Sequence, residues 1–195
     1  MMKDRTRLMF ASELEKMLAT MPMDKVRVVE LCRRCGATPP TFYYYFHDKY
    51  ELVAWIFLRD FAAVFADRQP EYSAERIAAS LKTTAQKRQF YQQAYSESGQ
   101  NSIDSYVQHF NVSIASESVK QVLQQSGLSK QQMLAVRYHS YGMMGLFKEW
   151  LNNDSKISLE DLAEFQYQMT PEFLKKAFQE YRFSSRHLFG KGGQN

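Results

Sequence analysis

The chain has 195 residues, of which 45% are hydrophobic and 24% are charged, a balance typical of a soluble globular protein rather than a disordered one. No apolar run approaches the roughly 20 residues that cross a bilayer, and the start MMKDRTRLMF lacks the apolar core of an export signal, so we expect a cytoplasmic protein with no membrane partner. The net charge of +4 is too small to prove a nucleic-acid partner. Residues 1–49 nevertheless hold nine Lys or Arg against six Asp or Glu, which places most of the excess there.

Helical periodicity runs through almost the whole chain, and no alternating pattern predicts a strand. The first helix is expected at about 4–20. After MPMDK comes a short second helix, which Gly36 ends because glycine tolerates the left-handed conformation. Thr38 is expected to cap a third helix of about one and a half turns, with Pro39 and Pro40 in its first turn, where a missing N–H costs nothing.

A fourth helix is predicted from Lys49 to about Arg68, and Asp48 with Glu51 forms a capping-box pattern at its start. This helix is apolar on nearly every side, which indicates a connector between two bodies. Further helices are predicted at 73–98 with a break near Lys87, and at 101–125, 129–153, 158–169 and 171–185. We therefore divide the chain into an N-terminal domain, 1-50, and a C-terminal helical domain, 51-195.

The second and third helices have the order of a helix-turn-helix, whose second member enters the major groove of DNA. In TFYYYF, Phe42 and Phe46 can face inward together, whereas Tyr43, Tyr44 and Tyr45 cannot all be buried. Exposed phenols suit phosphate contacts, because an O–H group donates to phosphate oxygens. The pattern favours double-stranded DNA as a partner; the alternative is that this segment is an ordinary corner of the core.

The segment ELCRRCGATPPTFYYYFHDKYELV resembles the N-terminal domain of the TetR/AcrR family of bacterial transcription regulators. The residues that carry the likeness are Gly36, Phe42, Tyr43, Phe46, Lys49 and Leu52. The resemblance implies an all-helical homodimer that binds a palindromic operator through an N-terminal helix-turn-helix domain. It also implies a larger C-terminal domain for dimerisation and for binding a small-molecule or protein effector.

The resemblance implies a set of DNA-facing residues: Arg27, Thr38, Pro39, Pro40, Thr41, Tyr43, Tyr44 and Lys49. Tyr43 and Lys49 match positions that usually contact phosphate, and Pro39, Pro40 and Tyr44 match positions that usually reach base edges. Prolines donate no hydrogen bonds, so base reading at those two positions would be apolar, against thymine methyl groups. Arg27 stands where many members cap the second helix with Ser or Thr.

A narrower resemblance concerns DKYELVAWIF and the later KRQFYQQAYSESGQNS, which are similar to the DhaS-like subgroup. That subgroup contains an activator of dihydroxyacetone kinase genes controlled by a partner protein related to the kinase. The sequence itself does not distinguish a repressor from an activator.

Tyr, Phe and Met residues are frequent between residues 73 and 185, where they predict either a ligand pocket or an aromatic helical core. The candidate ligand residues are Tyr91, Tyr95, Tyr106, Phe110, Tyr138, Tyr141 and Met144. Gly142 and Gly145 lie mid-helix, where glycine is costly, which indicates close approach of another helix or space for a ligand.

The resemblance implies a homodimer interface in the last helices, at about 158-185. The apolar positions offered for it are Leu159, Leu162, Phe173, Leu174, Ala177 and Phe178. The alternative is that these side chains pack inside a monomer.

Cys32 and Cys35 form a C-x-x-C pair without a second pair to complete a zinc site, so we interpret both as structural. His109 and His139 are isolated, and we predict no metal and no cofactor. The sequence has no Gly-rich phosphate loop, no H-E-x-x-H and no nucleophile motif in a plausible context, so we do not expect an enzyme. The remaining alternative class is an all-helical protein-interaction module.

Overall fold

The structure, a computed structural model, describes residues 2–65, 72–96, 103–153 and 156–181. Across these ranges the regular elements are ten α-helices and one 3₁₀ turn, Met23–Lys25. The helices are α1 (Met2–Leu18), α2 (Val28–Arg34), α3 (Pro39–Tyr45), α4 (Lys49–Phe65), α5 (Ala74–Gln86), α6 (Arg88–Ala94), α7 (Ile103–Val122), α8 (Lys130–Asn152), α9 (Leu159–Met169) and α10 (Glu172–Glu180). The predicted all-α fold is confirmed, and the predicted end of α4 at about Arg68 lies outside the described residues. The predicted helix ends at 98 and 185 are wrong, because α6 ends at Ala94 and α10 at Glu180, where Tyr181 is already extended.

Local sequence signals set several of these boundaries. Gly36 has φ +61 directly after α2, the left-handed conformation expected there. The predicted break at Lys87 separates α5 from α6. Ser129 caps α8, since the Gln132 backbone N–H donates to its hydroxyl at 3.1 Å and its own N–H donates to the Gln132 side chain at 2.8 Å.

Two compact units make up the chain, and neither is continuous in sequence. The first consists of Met1–Phe57 and Lys87–Tyr106. Within it, Lys87 forms an ion pair with Glu15 of α1 at 2.9 Å, and the Gln89 side chain donates to the Ala19 carbonyl at 3.2 Å. Because α6 is held on α1, packing does not divide the chain at residue 50, and the assignment of DNA binding to 1-50 and regulation to 51-195 stays a prediction.

The second unit consists of Leu58–Gln86 and Val107–Asn195. In it α9 packs against α5 and α8. One hydrophobic cluster joins α7, α8 and α10 through Ala115, Val119, Val136, Leu174 and Ala177. Both α4 and α7 begin in the first unit and end in the second, so the prediction of α4 as a connecting helix is consistent with the packing.

The apolar side chains offered for the 158-185 interface are largely used inside the second unit. Leu162, Leu174 and Ala177 are fully buried, which corresponds to the alternative of internal packing. Phe173 and Phe178 pack against the cluster of α7, α8 and α10. Leu159, Phe173 and Phe178 are only partly buried, and the interface in this range stays a prediction.

A buried polar network also lies in the second unit. The Tyr72 hydroxyl is 2.7 Å from Thr170 Oγ1, which donates to the Gln166 carbonyl at 2.8 Å and lies 3.3 Å from His139 Nε2. Burial raises the pKa of Tyr72 to about 12 and lowers the pKa of His139 to about 4. Both groups are therefore neutral at pH 7.

Among the described helices, none combines the length and the apolar character needed to cross a bilayer.

Candidate nucleic-acid interface

The third helix presents one buried and one exposed side. Pro39 and Pro40 occupy its first positions, as predicted, and their fixed φ suits the helix start. Phe42 is fully buried, whereas Tyr43 and Tyr44 are 57% and 67% exposed. A seven-residue helix that leaves two adjacent phenols in solvent has surface available for another molecule.

Aromatic contacts fix the buried side of α3 to the neighbouring helices. The Phe42 ring lies edge-on to Phe10 of α1 at 5.3 Å between centroids and 5.6 Å from Phe46. Phe46 in turn lies 6.1 Å from Trp55 of α4. Aromatic pairs of this kind add directional stabilisation to apolar burial, so these contacts hold the buried side of α3 in place.

Thr38 occupies the predicted N-cap position, but the predicted hydrogen bond to its side chain is wrong. Thr38 holds the extended conformation of an N-cap, but its side chain accepts no helix N–H. Its hydroxyl instead lies 3.0 Å from the Thr41 hydroxyl. Pro40, at the second helical position, has no N–H to offer, which removes one of the two donors that such a cap usually serves.

The start of α4 is capped by Asp48, as predicted, but the capping box is shifted by one residue. Asp48 Oδ1 accepts from the backbone N–H groups of Tyr50 at 2.8 Å and Glu51 at 2.9 Å. Glu51 accepts from the backbone N–H of His47 and not from that of Asp48. The other Asp48 oxygen accepts from the Tyr106 hydroxyl at 3.0 Å, which links the start of α4 to the start of α7.

Lys49, predicted to contact phosphate, is engaged within the protein. Its ammonium donates to the carbonyl of Met23 at 2.6 Å and that of Val26 at 3.3 Å, and it lies 5.1 Å from the Tyr50 ring centroid. These bonds hold the turn that leads into α2 against the start of α4. Its direct role in this structure is therefore to position the helix-turn-helix, and its phosphate contact stays a prediction.

The charges of α2 differ between its two ends. Arg33 and Arg34, in the last turn, pair with Glu30 of the first turn at 2.7 and 2.8 Å, and hydrogen bonds from both arginines lower the pKa of Glu30 to about 2. At the N-terminal end, Arg27 is exposed at the N-cap without a side-chain cap bond. Arg27 is thus the cation of α2 that is not neutralised by an acidic neighbour on the same helix.

The two cysteines behave as packing residues. Cys32 is buried, and the half-buried Cys35 thiol lies 3.8 Å from the Met9 carbonyl. Burial raises the pKa of Cys32. It also raises the pKa of Cys35, to about 11, with a further contribution from Glu13. Thiolate is the reactive form, so these shifts support the structural interpretation.

We expect Cys35 to react with DTNB at pH 8 at least roughly tenfold more slowly than an ordinary exposed thiol, and Cys32 more slowly still. The protein unfolded in urea is the control, because both thiols should then react at the usual rate. Rapid labelling of Cys35 in the native protein would contradict the structural interpretation.

The candidate ligand residues are divided between the two compact units, and their role stays a prediction. Tyr91, Tyr95 and Tyr106 belong to the first unit, and the other four to the second. Tyr91 is fully buried, and burial raises the pKa of Tyr95 and Tyr106. In α8, Tyr138 is 84% exposed and Tyr141 is also exposed, whereas Met144 is buried; Phe110, in α7, is partly buried.

Within the described part of the chain, no group of three or more His, Cys, Asp and Glu residues is placed to hold a metal ion.

Sequence patterns gave the helix-turn-helix but missed two contacts around it. One is the Tyr106–Asp48 bond, which joins residues 58 positions apart. The other is the contact of Arg7 with the Tyr45 ring, at 5.8 Å from guanidinium carbon to centroid. Neither has a local signal, although the arginines near the start of α1 were visible as part of the basic excess.

Comparison with known proteins agrees with this architecture. Residues 14–56 match the family described as "Bacterial regulatory proteins, tetR family", and residues 73–172 match "Transcriptional regulator C-terminal region". A solved structure described as "Dihydroxyacetone kinase operon activator DhaS" is similar with a TM-score of 0.51 and 20% identity, over 85% of this chain and 93% of that one. No curated protein matches the chain by sequence. The matched regions include more than half of the residues, and the chain belongs to the TetR family of bacterial transcription regulators.

Proposed function

We propose that the protein is a DNA-binding regulator that places α3 in the major groove of a palindromic operator as a homodimer in the cytoplasm. The observation that carries this proposal is the two-sided α3, with Phe42 buried and Tyr43 and Tyr44 exposed next to each other. Family members are regulators and not enzymes, which agrees with the absence of catalytic motifs in the sequence.

The residues of α3 suit a particular mode of reading. Pro40 is exposed and without a donor, so its contact with bases is apolar, and thymine methyl groups are the matching surface. The hydroxyls of Thr38, Tyr43 and Tyr44 provide donors for phosphate oxygens. Arg27 at the N-cap of α2 adds a cation, and phosphate contacts by cations make affinity depend on salt.

An exposed apolar stripe on α8 supports a homodimer. Leu134, Tyr138 and Tyr141 are exposed at helical spacing, and α9 adds Phe165 and Met169, also exposed. Exposed apolar patches of this kind are typical of protein interfaces. We propose that the interface at about 158-185 uses this side of α9, together with α8.

Gly142 lies beside that stripe and is exposed. In the described chain, no atom from outside its own helix segment lies within 4 Å of where a Cβ atom would be. The chain's own packing therefore does not require glycine there. Close approach of α8 from a second copy would explain why glycine occupies this mid-helix position.

We expect Leu134→Glu and Phe165→Glu to convert the dimer into monomer, because each puts a charge into a surface that must lose water on association. Multi-angle light scattering after size exclusion measures this. Val29→Glu is the matched control, since Val29 is an exposed apolar residue of α2, in the first unit, and its variant should stay dimeric. Unchanged mass in both α8 and α9 variants would contradict the interface.

Effector control is proposed for the C-terminal region. The second unit supplies Phe110, Tyr138, Tyr141 and Met144 from the candidate set, while the buried Tyr91 belongs to the core of the first unit. The proposed effector of this region is a small molecule or a protein.

The alternative is a DhaS-like activator controlled by a kinase-like partner protein. It rests on the sequence resemblance of DKYELVAWIF and KRQFYQQAYSESGQNS, while a structural likeness at 20% identity supports the fold alone. A protein-interaction module is the other alternative. Neither steep salt dependence nor a preferred palindrome is expected of such a module.

The test is selection of binding sites from genomic fragments, followed by titration at several salt concentrations. We expect the wild type to select a palindrome and to lose affinity steeply with salt. Tyr43→Ala and Tyr44→Ala should bind that site roughly tenfold more weakly or worse. Lys49→Ala should also bind more weakly, and its unfolding free energy must be measured beside it because Lys49 holds the turn before α2.

Arg27→Ala should lower the salt slope by about one per half-site, since it removes one phosphate contact. Lys120→Ala is the control, because Lys120 is an exposed cation of α7, in the second unit, and its slope should match the wild type. Equal and weak binding of wild type and variants to every fragment would overturn the proposed function.

A further inference from the structure

A contact between α1 and α3 bears on how the exposed phenols are held. The guanidinium carbon of Arg7 lies 5.8 Å from the centroid of the Tyr45 ring. At this distance the cation is attracted to the electron-rich ring face. Arg7 is not among the residues expected to face DNA, and Tyr45 is only half-buried.

The contact of Arg7 with Tyr45 lies one helical turn from a second contact between α1 and α3. Phe10 packs edge-on against Phe42 at 5.3 Å. Arg7 is three residues before Phe10 on α1, and Tyr45 is three residues after Phe42 on α3. Residues three apart share one side of a helix, so the two contacts are successive turns of a single α1–α3 packing. The pair of Phe10 and Phe42 stabilises this packing, and the contact of Arg7 with Tyr45 lies one turn nearer the C-terminal end of α3.

From Tyr45 the contact continues to an exposed residue. The rings of Tyr45 and Tyr44 meet edge to face at 4.9 Å and 89°. Tyr44 is 67% exposed and belongs to the proposed DNA-facing set. The Tyr45 ring is therefore one of the contacts that orient Tyr44, and Arg7 lies over that ring.

The environment of Arg7 indicates that the ring is its main partner. Its Nε atom is buried without a hydrogen-bond partner among the described residues, and no acidic side chain there pairs with it. The Tyr45 ring is therefore the contact through which the Arg7 guanidinium can act on α3.

We propose that Arg7 is a positioning residue for operator recognition, which fixes the ring of Tyr44 at the DNA surface by stacking on Tyr45. The proposal rests on the proposed DNA binding. It assigns to Arg7 an effect on base preference through Tyr44 and not a phosphate contact of its own.

The experiment measures operator affinity, base preference and salt slope for Arg7→Met in the wild-type and Tyr44→Ala backgrounds. We expect Arg7→Met to weaken operator binding roughly three- to tenfold and to relax the base preference that Tyr44→Ala relaxes. In the Tyr44→Ala background Arg7→Met should have no further effect, because the residue through which it acts is gone. The salt slope should not change.

Three further variants separate positioning from general stability. Tyr45→Phe keeps the ring and should bind as the wild type does, whereas Tyr45→Leu removes the ring without touching the charge and should reproduce the effect of Arg7→Met. Arg5→Met removes an exposed arginine two residues away on α1 and should leave base preference unchanged. Urea unfolding of each variant shows whether lost binding is lost folding; if Arg7→Met unfolds, Tyr45→Leu carries the test.

Additive effects of Arg7→Met and Tyr44→Ala would overturn the proposal, as would a salt slope lowered by about one per half-site, which marks a direct phosphate contact. In both cases the wild type still selects an operator, so the proposed function stands. If the wild type selects no site, the proposed function fails first.

Discussion

Replacement of Phe42 by alanine is expected to lower the free energy of unfolding by about 3–5 kcal/mol and to abolish operator binding. Phe42 is fully buried, and its ring contacts Phe10, Tyr43 and Phe46 at 5.3 to 5.6 Å. Its removal leaves a cavity between α1 and α3, the packing that sets the position of the exposed tyrosines. Urea denaturation followed by circular dichroism measures the stability, and titration with the selected operator measures the binding.

Tyr44→Ala is the matched control, because it removes an aromatic ring two residues further along the same helix. Tyr44 is 67% exposed, so its loss should change stability by only about 0.5 kcal/mol. Operator affinity should nevertheless fall. A loss of stability below about 1 kcal/mol for Phe42→Ala, or equal destabilisation by both variants, would contradict the division of α3 into a buried and an exposed side.

Local patterns in the sequence were sufficient to place the helices. The break at Lys87, the left-handed Gly36 and the prolines at the start of α3 all act within a few residues, and each is found where it was predicted. The burial of Phe42 and the exposure of Tyr43 follow from the same periodicity. These features need only the chain's own geometry.

Details of hydrogen bonding were not predictable in the same way, because several nearby groups compete as partners for one donor or acceptor. Glu51 accepts from His47 where the pattern indicated Asp48, and Thr38 bonds to Thr41 where a helix N–H was expected. Lys49 was assigned to phosphate, but the Met23 carbonyl lies 2.6 Å away. A sequence without coordinates gives no means of ranking such nearby alternatives.

Long-range packing was also not predictable from the sequence. The ion pair between Lys87 and Glu15 attaches α6 to α1, and no change of composition marks this contact in the sequence. Likewise the apolar side of α10 turned out to be core through Leu174 and Ala177, since α7 and α8 lie against it. The apolar side of an amphipathic helix predicts that another surface packs against it, but it does not identify that surface.

Stability should fall as the pH is lowered from about 6.5 to about 4, in part because of His139. Burial lowers its pKa in the folded protein from 6.5 to about 4. In this window the unfolded chain binds a proton that the folded protein does not, so protonation favours unfolding, and the stabilisation is complete only above about pH 6.5. For this partly buried group we expect a contribution of about 2–3 kcal/mol across the window.

Urea denaturation of wild type and His139→Gln between pH 4 and 7 isolates this contribution, since the carboxylates that also titrate are common to both proteins. Glutamine stays neutral, so the variant should lose the part of the pH dependence that belongs to His139, and its difference from the wild type should shrink as the pH falls. Tyr72, whose pKa is raised to about 12, stays neutral throughout and leaves the rest of the Thr170 network unchanged. A pH profile of His139→Gln identical to that of the wild type would show that His139 is not held neutral by burial.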